Sequence, residues 1–274
     1  MTVLVNLAVL LGMFVVIPAG LRLVDPDSVP LDRIARAWPL AGLAGGASLW
    51  LDRGPVAAWL AAGYAAATVL LAAFAAVRWL RRRWYAAAEI AVLTALVAPA
   101  VAGTALVAER AGYRLFGFTL EILALTVPHF HYAGFAAALI AGLVCRTVPG
   151  PAATIAALSV PAGTALVLVG YFVNDVTELA GAVVLTAGMW LVGWLTWSQI
   201  RPRGADRLTR AALGIAAGVL VVSMLLALNW AVGHVTDLPH LSLTWMAATH
   251  GIGNALGFGV CGVLAWHRLQ RESR

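Results

Sequence analysis

Three ionisable side chains, Glu121, His129 and His131, fall inside one apolar stretch, Gly117 to Cys145 (GFTLEILALTVPHFHYAGFAAALIAGLVC). An acid or an imidazole in such a run is costly in hydrocarbon, so it is by default a sign of function. On a regular helix Glu121 and His129 are eight residues apart, roughly 12 Å along the axis. The same spacing turns the helix only about 80° beyond two full turns, so the two share a broad face. His131 points nearly opposite His129 on that ideal helix. Pro128 removes a backbone donor and is expected to kink or unwind the segment, which would swing both rings toward one cavity. A second apolar run, TWMAATHGIGNALGFGVCG, sets His250 and Asn254 at i and i+4 on one face among glycines. Asp175, with Glu178 three residues on, stands at the junction of two later runs as a supporting carboxylate.

Imidazole and carboxylate groups in a low-dielectric cavity suit proton transfer near neutral pH. A lipophilic substrate entering from the bilayer would then be isomerised or cyclised by protonation of an alkene, epoxide or carbonyl. Glu121 is the expected acid, His129, His131 and His250 complete the site, Asn254 orients the substrate and Asp175 supports them. The same residue types also suit other chemistry. His-x-His with a further histidine and a carboxylate resembles a zinc, iron or copper ligand set, and two histidines can hold a haem. Intramembrane acids and histidines also form proton relays in transporters. Structural roles are open to every one of them: Glu121 as a helix-start acid, His250 with Asn254 as an interhelical hydrogen-bond pair, Asp175 as a solvated loop residue. No CxxC, CxxCH, HExxH, GxSxG or phosphate loop occurs, and no metal or cofactor is expected.

The elements that must position these groups are membrane spans. Of 274 residues, 62% are hydrophobic and 11% charged, against about 25% charge in a soluble domain. The basic residues are all arginine, gathered in short loops between apolar runs, which reads as an orientation signal and not as nucleic-acid binding. Nine runs are long enough to cross a bilayer of ~30 Å. They cover about Val3–Val24, Ala35–Leu51, Pro55–Val77, Ala86–Ala108, the opening stretch, Ala152–Val173, Leu179–Ile200, Leu208–Val232 and Leu243–His267. The second is weak, interrupted by Pro39 and by Gly45 and Gly46. Arginine-rich loops after the first, third, fifth, seventh and ninth runs share one side if all nine alternate. The positive-inside rule makes that side cytoplasmic, with the N-terminus outside and the C-terminus inside. His129 and His250 then lie at similar depth below the outer surface. Cys145 and Cys261 are far apart and read as small buried hydrophobes.

Two motifs, LALTVPHFHYAGF (Leu123 to Phe135) and HGIGNALGF (His250 to Phe258), resemble the YndJ-like family of bacterial integral membrane proteins. The resemblance covers spans five to nine and rests on His129, His131, Gly134, Phe135, His250, Gly251, Asn254 and Gly257, with Pro128 a departure. It implies a multi-span fold in a bacterial inner membrane and little about activity. The expectation is therefore a single all-α polytopic transmembrane bundle of eight or nine spans over residues 1–274. Its polar cavity is lined by spans five and nine, its partners are a lipophilic small molecule and the lipid bilayer, and it does not bind nucleic acid.

Overall fold

The computed structural model describes residues 2–82, 86–236 and 238–272. Among them every regular element is a helix and no strand occurs. Nine long helices follow one another: α1 (Thr2–Val24), α2 (Val29–Ser48), α3 (Pro55–Arg82), α4 (Ala87–Arg110), α5 (Leu120–Thr147), α6 (Pro151–Val173), α7 (Asp175–Arg203), α8 (Arg207–Thr236) and α9 (Leu243–Glu272). Eight of these are long and apolar enough to cross a membrane, α2 being the exception. The exposed surface agrees with that: large apolar side chains such as Leu70, Trp59, Trp194 and Val222 stand outward, which suits lipid and would be unfavourable in water.

The residues cluster into two compact units, Met1–Trp84 with Leu93–Ala136, and Tyr85–Val92 with Ala137–Arg274. The boundary falls inside α4 and inside α5.

In the first unit α2 differs from its sequence reading. The helix starts at Val29, with Pro30 in the first turn where a missing N–H costs nothing, and it runs straight through Pro39 and the glycine pair. Gly45 and Gly46 do not break it. They bring its backbone close to Met13 and Tyr64, and to Leu10, where a Cβ would not fit. Asp32, Arg33 and Arg36 keep the composition of α2 below that of a typical span, and all three sit in its first two turns. Its far end meets the start of α1, since Asn6 Nδ2 donates to the Leu49 carbonyl at 3.2 Å. Arg78, near the end of α3, pairs with Asp25 just past the end of α1 at 3.3 Å. Twenty residues at ~1.5 Å each give α2 a length of about 30 Å, so it travels the full height of α1.

In the second unit the α6–α7 hairpin is packed with almost no side chain between the backbones. Gly163 faces Leu185, Gly170 faces Glu178, Gly181 faces Val167 and Gly188 faces Ser159. Small residues at such crossings let membrane helices gain dispersion and Cα–H contacts that larger side chains would prevent. The opposite end of the unit is tied by polar groups. Arg268 donates to Asp206 at 2.6 Å and to the Thr209 hydroxyl at 3.0 Å, and that hydroxyl lies 3.1 Å from Glu272. The Arg268 guanidinium and the Thr209 N–H hold the Asp206 carboxyl well below the usual carboxylate range. Arg146 pairs with Glu89 at 3.2 Å.

Gly181→Val tests the hairpin. Its branched side chain would press on the Val167 backbone, which cannot yield without parting the helices. The expected loss is about 1–3 kcal/mol, read as a lower thermal midpoint of the detergent-solubilised protein.

Candidate functional site

Glu121 is placed by the start of α5. The Thr119 hydroxyl caps that helix by accepting from the Ile122 N–H at 3.3 Å, and Glu121 stands in the first turn, where the helix dipole favours an acid. Its carboxylate is exposed and has no hydrogen-bond partner among the described residues. It borders a cavity of about 230 Å³ in the first unit. Its lining includes the apolar Val5 and Val9 of α1, Leu106 of α4, and Ala124, Leu125 and Val127 of α5, with the polar Thr2 and Asn6 of α1 beside them. Arg53, Glu109 and Arg110 form the charged part of the wall.

The charged wall is built around a buried carboxylate. The Glu109 side chain is only 2% exposed. Its Oε1 accepts from Arg53 Nε at 2.9 Å and from Arg110 Nη2 at 2.6 Å, and its Oε2 accepts from Arg110 Nε. Arg110 spends its remaining reach on backbone, with Nη1 3.3 Å from both the Ser48 and the Leu51 carbonyls. The Gly54 N–H donates to the Arg110 carbonyl at 2.9 Å. The end of α2, the start of α3 and the end of α4 are thus joined by one ionic cluster that also forms a cavity wall.

His131 is fully buried, 2.7 Å from the Tyr64 hydroxyl through Nε2, while its Nδ1 has no partner among the described atoms. Gly12 makes room for the ring: any side chain there would overlap it. Trp38 packs edge-on against Tyr64 with ring centroids 5.9 Å apart, and its Nε1 is likewise buried without a partner. Tyr132 donates to the Ala8 carbonyl at 2.8 Å. His129 is half-buried beside the Phe130 ring, with centroids 5.7 Å apart. Neither histidine lines the cavity that Glu121 borders. Pro128 lies inside the helical run, and after it the helix widens to π-turns over Phe130–Ala136. A second π-turn, Gly12–Val16 in α1, lies in the same unit. Such bulges are common where a helix serves a function.

His250 and Asn254 belong to the second unit. The His250 Nδ1–H donates to the Ser223 carbonyl at 2.7 Å, Asn254 Nδ2 reaches His250 Nε2 at 3.2 Å, and the Ser223 hydroxyl donates to Asn254 Oδ1 at 2.9 Å. The His250 and Asn254 side chains and Ser223, through its carbonyl and its hydroxyl, close a ring between α8 and α9 in which the imidazole is engaged at both nitrogens. Around it α9 runs as π-turns over Ala247–Gly251 and Gly253–Val260. Asp175 is exposed in the first turn of α7, where Asn174 caps the helix by accepting from the Thr177 N–H at 2.9 Å. Asp237, three residues before His240 in the sequence, lies outside the described residues. Among the described residues no three His, Cys, Asp or Glu side chains gather as a metal site requires.

Of the expected site residues, then, the structure joins His250 to Asn254 and sets Glu121 on a cavity. His131 pairs with Tyr64, and Asp175 stands at a helix start. Arg53, Glu109, Arg110, Tyr64 and Ser223 were not singled out from sequence. One signal was available for the first three: Arg53 and the Glu109–Arg110 pair stand in the loops that should be poor in arginine.

The fold and the cavity define a polytopic helical membrane protein with a charged hollow among its first helices. The chain belongs to the YndJ-like protein family, whose profile matches residues 7–258. The match therefore reaches back through the first four helices, beyond the two motifs in the second half. No curated protein and no solved structure matches the chain.

Tyr64→Phe should leave both ring nitrogens of buried His131 unpaired, at a cost of about 1–3 kcal/mol. The double variant Tyr64→Phe, His131→Leu should recover most of that loss, because no polar atom is then stranded. Thermal midpoints of the three proteins in detergent check this.

Proposed function

We propose that the protein is an integral membrane enzyme that acts on a lipophilic small molecule by acid–base chemistry, of the isomerase or cyclase type. The observation that carries this is the first-unit cavity, whose lining combines an unpartnered carboxylate, Glu121, the Arg53–Glu109–Arg110 ionic cluster and a set of apolar side chains. A proton donor needs a free carboxyl within reach of the substrate, and Glu121 is free where Glu109 is fully engaged. The apolar lining removes the substrate from water, and the fixed Arg110–Glu109–Arg53 cluster supplies a preorganised field for charge that develops in the transition state. His129 and His131 in this reading hold the π-turn of α5 and with it the carboxyl end of the cavity. His250 with Asn254 fixes α8 against α9.

The test is a solvent-exchange assay. Purified protein is incubated with a bacterial lipid extract in D₂O, and mass spectrometry follows isomers and deuterium uptake. A product is expected, and Glu121→Gln should slow its formation by about 10²–10⁴-fold, the usual worth of a positioned acid, without lowering the thermal midpoint. Absence of any product, or full activity in the variant, overturns the proposal.

We also propose that the protein sits in a bacterial cytoplasmic membrane with all nine helices crossing, its N-terminus outside and the Arg81, Arg203 and Arg268 ends in the cytoplasm. Support comes from the full-height course of α2 and from the arginine-rich loops. In a variant with Cys145 and Cys261 replaced by serine, a cysteine at Asp27 should resist a membrane-impermeant maleimide in intact cells, and one at Asp52 should react. The reverse pattern would invert the orientation.

A further inference from the structure

The ligand class follows from how the charges of that cavity are spent, and it rests on the reading just given. Two guanidinium groups meet one carboxylate in the charged wall, which leaves one positive charge in excess. Arg110 cannot carry it outward. Its side chain is 10% exposed and its donors are committed to Glu109 and to the carbonyls of Ser48 and Leu51. Arg53 can. Its Nε and Nη2 are fixed on Glu109 at 2.9 and 2.8 Å, yet half of its side chain is exposed. Its outer N–H groups are therefore held ready in a planar fork, the geometry that matches a carboxylate or phosphate. The apolar Val5, Leu106, Leu125 and Val127 line the same cavity. At about 230 Å³ the cavity falls below the roughly 300–1,000 Å³ of sites that enclose a whole drug-sized ligand. A volume of that size holds a head and the first part of a chain, not a whole long-chain ligand.

We infer that the cavity binds a single-chain amphiphile with one anionic head, the head on Arg53 and the alkyl chain on the apolar side chains. Carboxylate and phosphate heads share this chemistry. The remaining charged group on the rim is Glu121, which opposes an anion when ionised and donates a hydrogen bond to it when protonated. Removing the Glu121 charge should thus preserve or strengthen binding while it slows turnover by about 10²–10⁴-fold.

Isothermal titration of the full-length protein in a neutral maltoside detergent tests this, with laurate, dodecyl phosphate, dodecanol, dodecyltrimethylammonium and inorganic phosphate as probes. Laurate and dodecyl phosphate should bind at least about tenfold more tightly than dodecanol, the worth of one charge-assisted contact, and the ammonium compound should not compete. Arg53→Gln should weaken both anionic amphiphiles by about tenfold or more and leave dodecanol unchanged, and Arg53→Lys should lose part of the affinity by keeping the charge without the fork. Equal affinity for laurate and dodecanol, or an Arg53→Gln protein that binds laurate normally, overturns the inference. So does inorganic phosphate that binds as tightly as dodecyl phosphate, which would make the ligand a free anion. Binding and turnover measured side by side on the natural protein separate this inference from the enzymatic reading. Laurate binding without turnover in the natural protein defeats only the enzyme, and turnover with no preference for anionic heads defeats only the ligand class.

Discussion

A buried carboxylate governs the first unit. Glu109 is buried, and an isolated charge there would cost several kcal/mol even after relaxation. It is tolerable only because Arg110 and Arg53 converge on it, and those arginines can converge only if the end of α2, the start of α3 and the end of α4 come together. The cluster therefore specifies which helix ends meet. The same three side chains also line the neighbouring cavity.

Elsewhere several polar groups of the spans meet in pairs or small rings, although His131 Nδ1 and Trp38 Nε1 stay buried without a partner among the described atoms. His131 finds Tyr64 in the space that Gly12 leaves open, beside π-turns in both α1 and α5. His250, Asn254 and Ser223 close a ring at the start of the long π-helical part of α9. In hydrocarbon a polar side chain without a partner costs more than the modest strain of a widened turn, so helices yield to accommodate the pairing.

The helical, membrane-spanning character was legible throughout. Apolar runs of bilayer length can satisfy their backbone only as helices, and that leaves little choice. The weak second run was legible only in part. Pro39, Gly45 and Gly46 suggested an interruption, yet in context the glycines are contact points and the helix continues. Glu121 was found because an acid in an apolar run is conspicuous. Arg53, Glu109 and Arg110 drew less notice because charges at loop positions are ordinary. Their importance arises from convergence of residues more than fifty positions apart, which no local pattern displays.

The sequence by itself determined the all-helical class of fold, a count of eight or nine long apolar runs and the presence of polar groups within them, since each follows from hydropathy and chain length. Tertiary structure alone decided which polar groups face a hollow and which are consumed in holding helices together. His250 and Glu121 look equally suggestive in a linear reading. One has both nitrogens engaged and the other has a free carboxylate at a cavity with an apolar lining. The difference lies in what stands opposite each side chain, and helix packing sets that over distances the sequence does not encode locally.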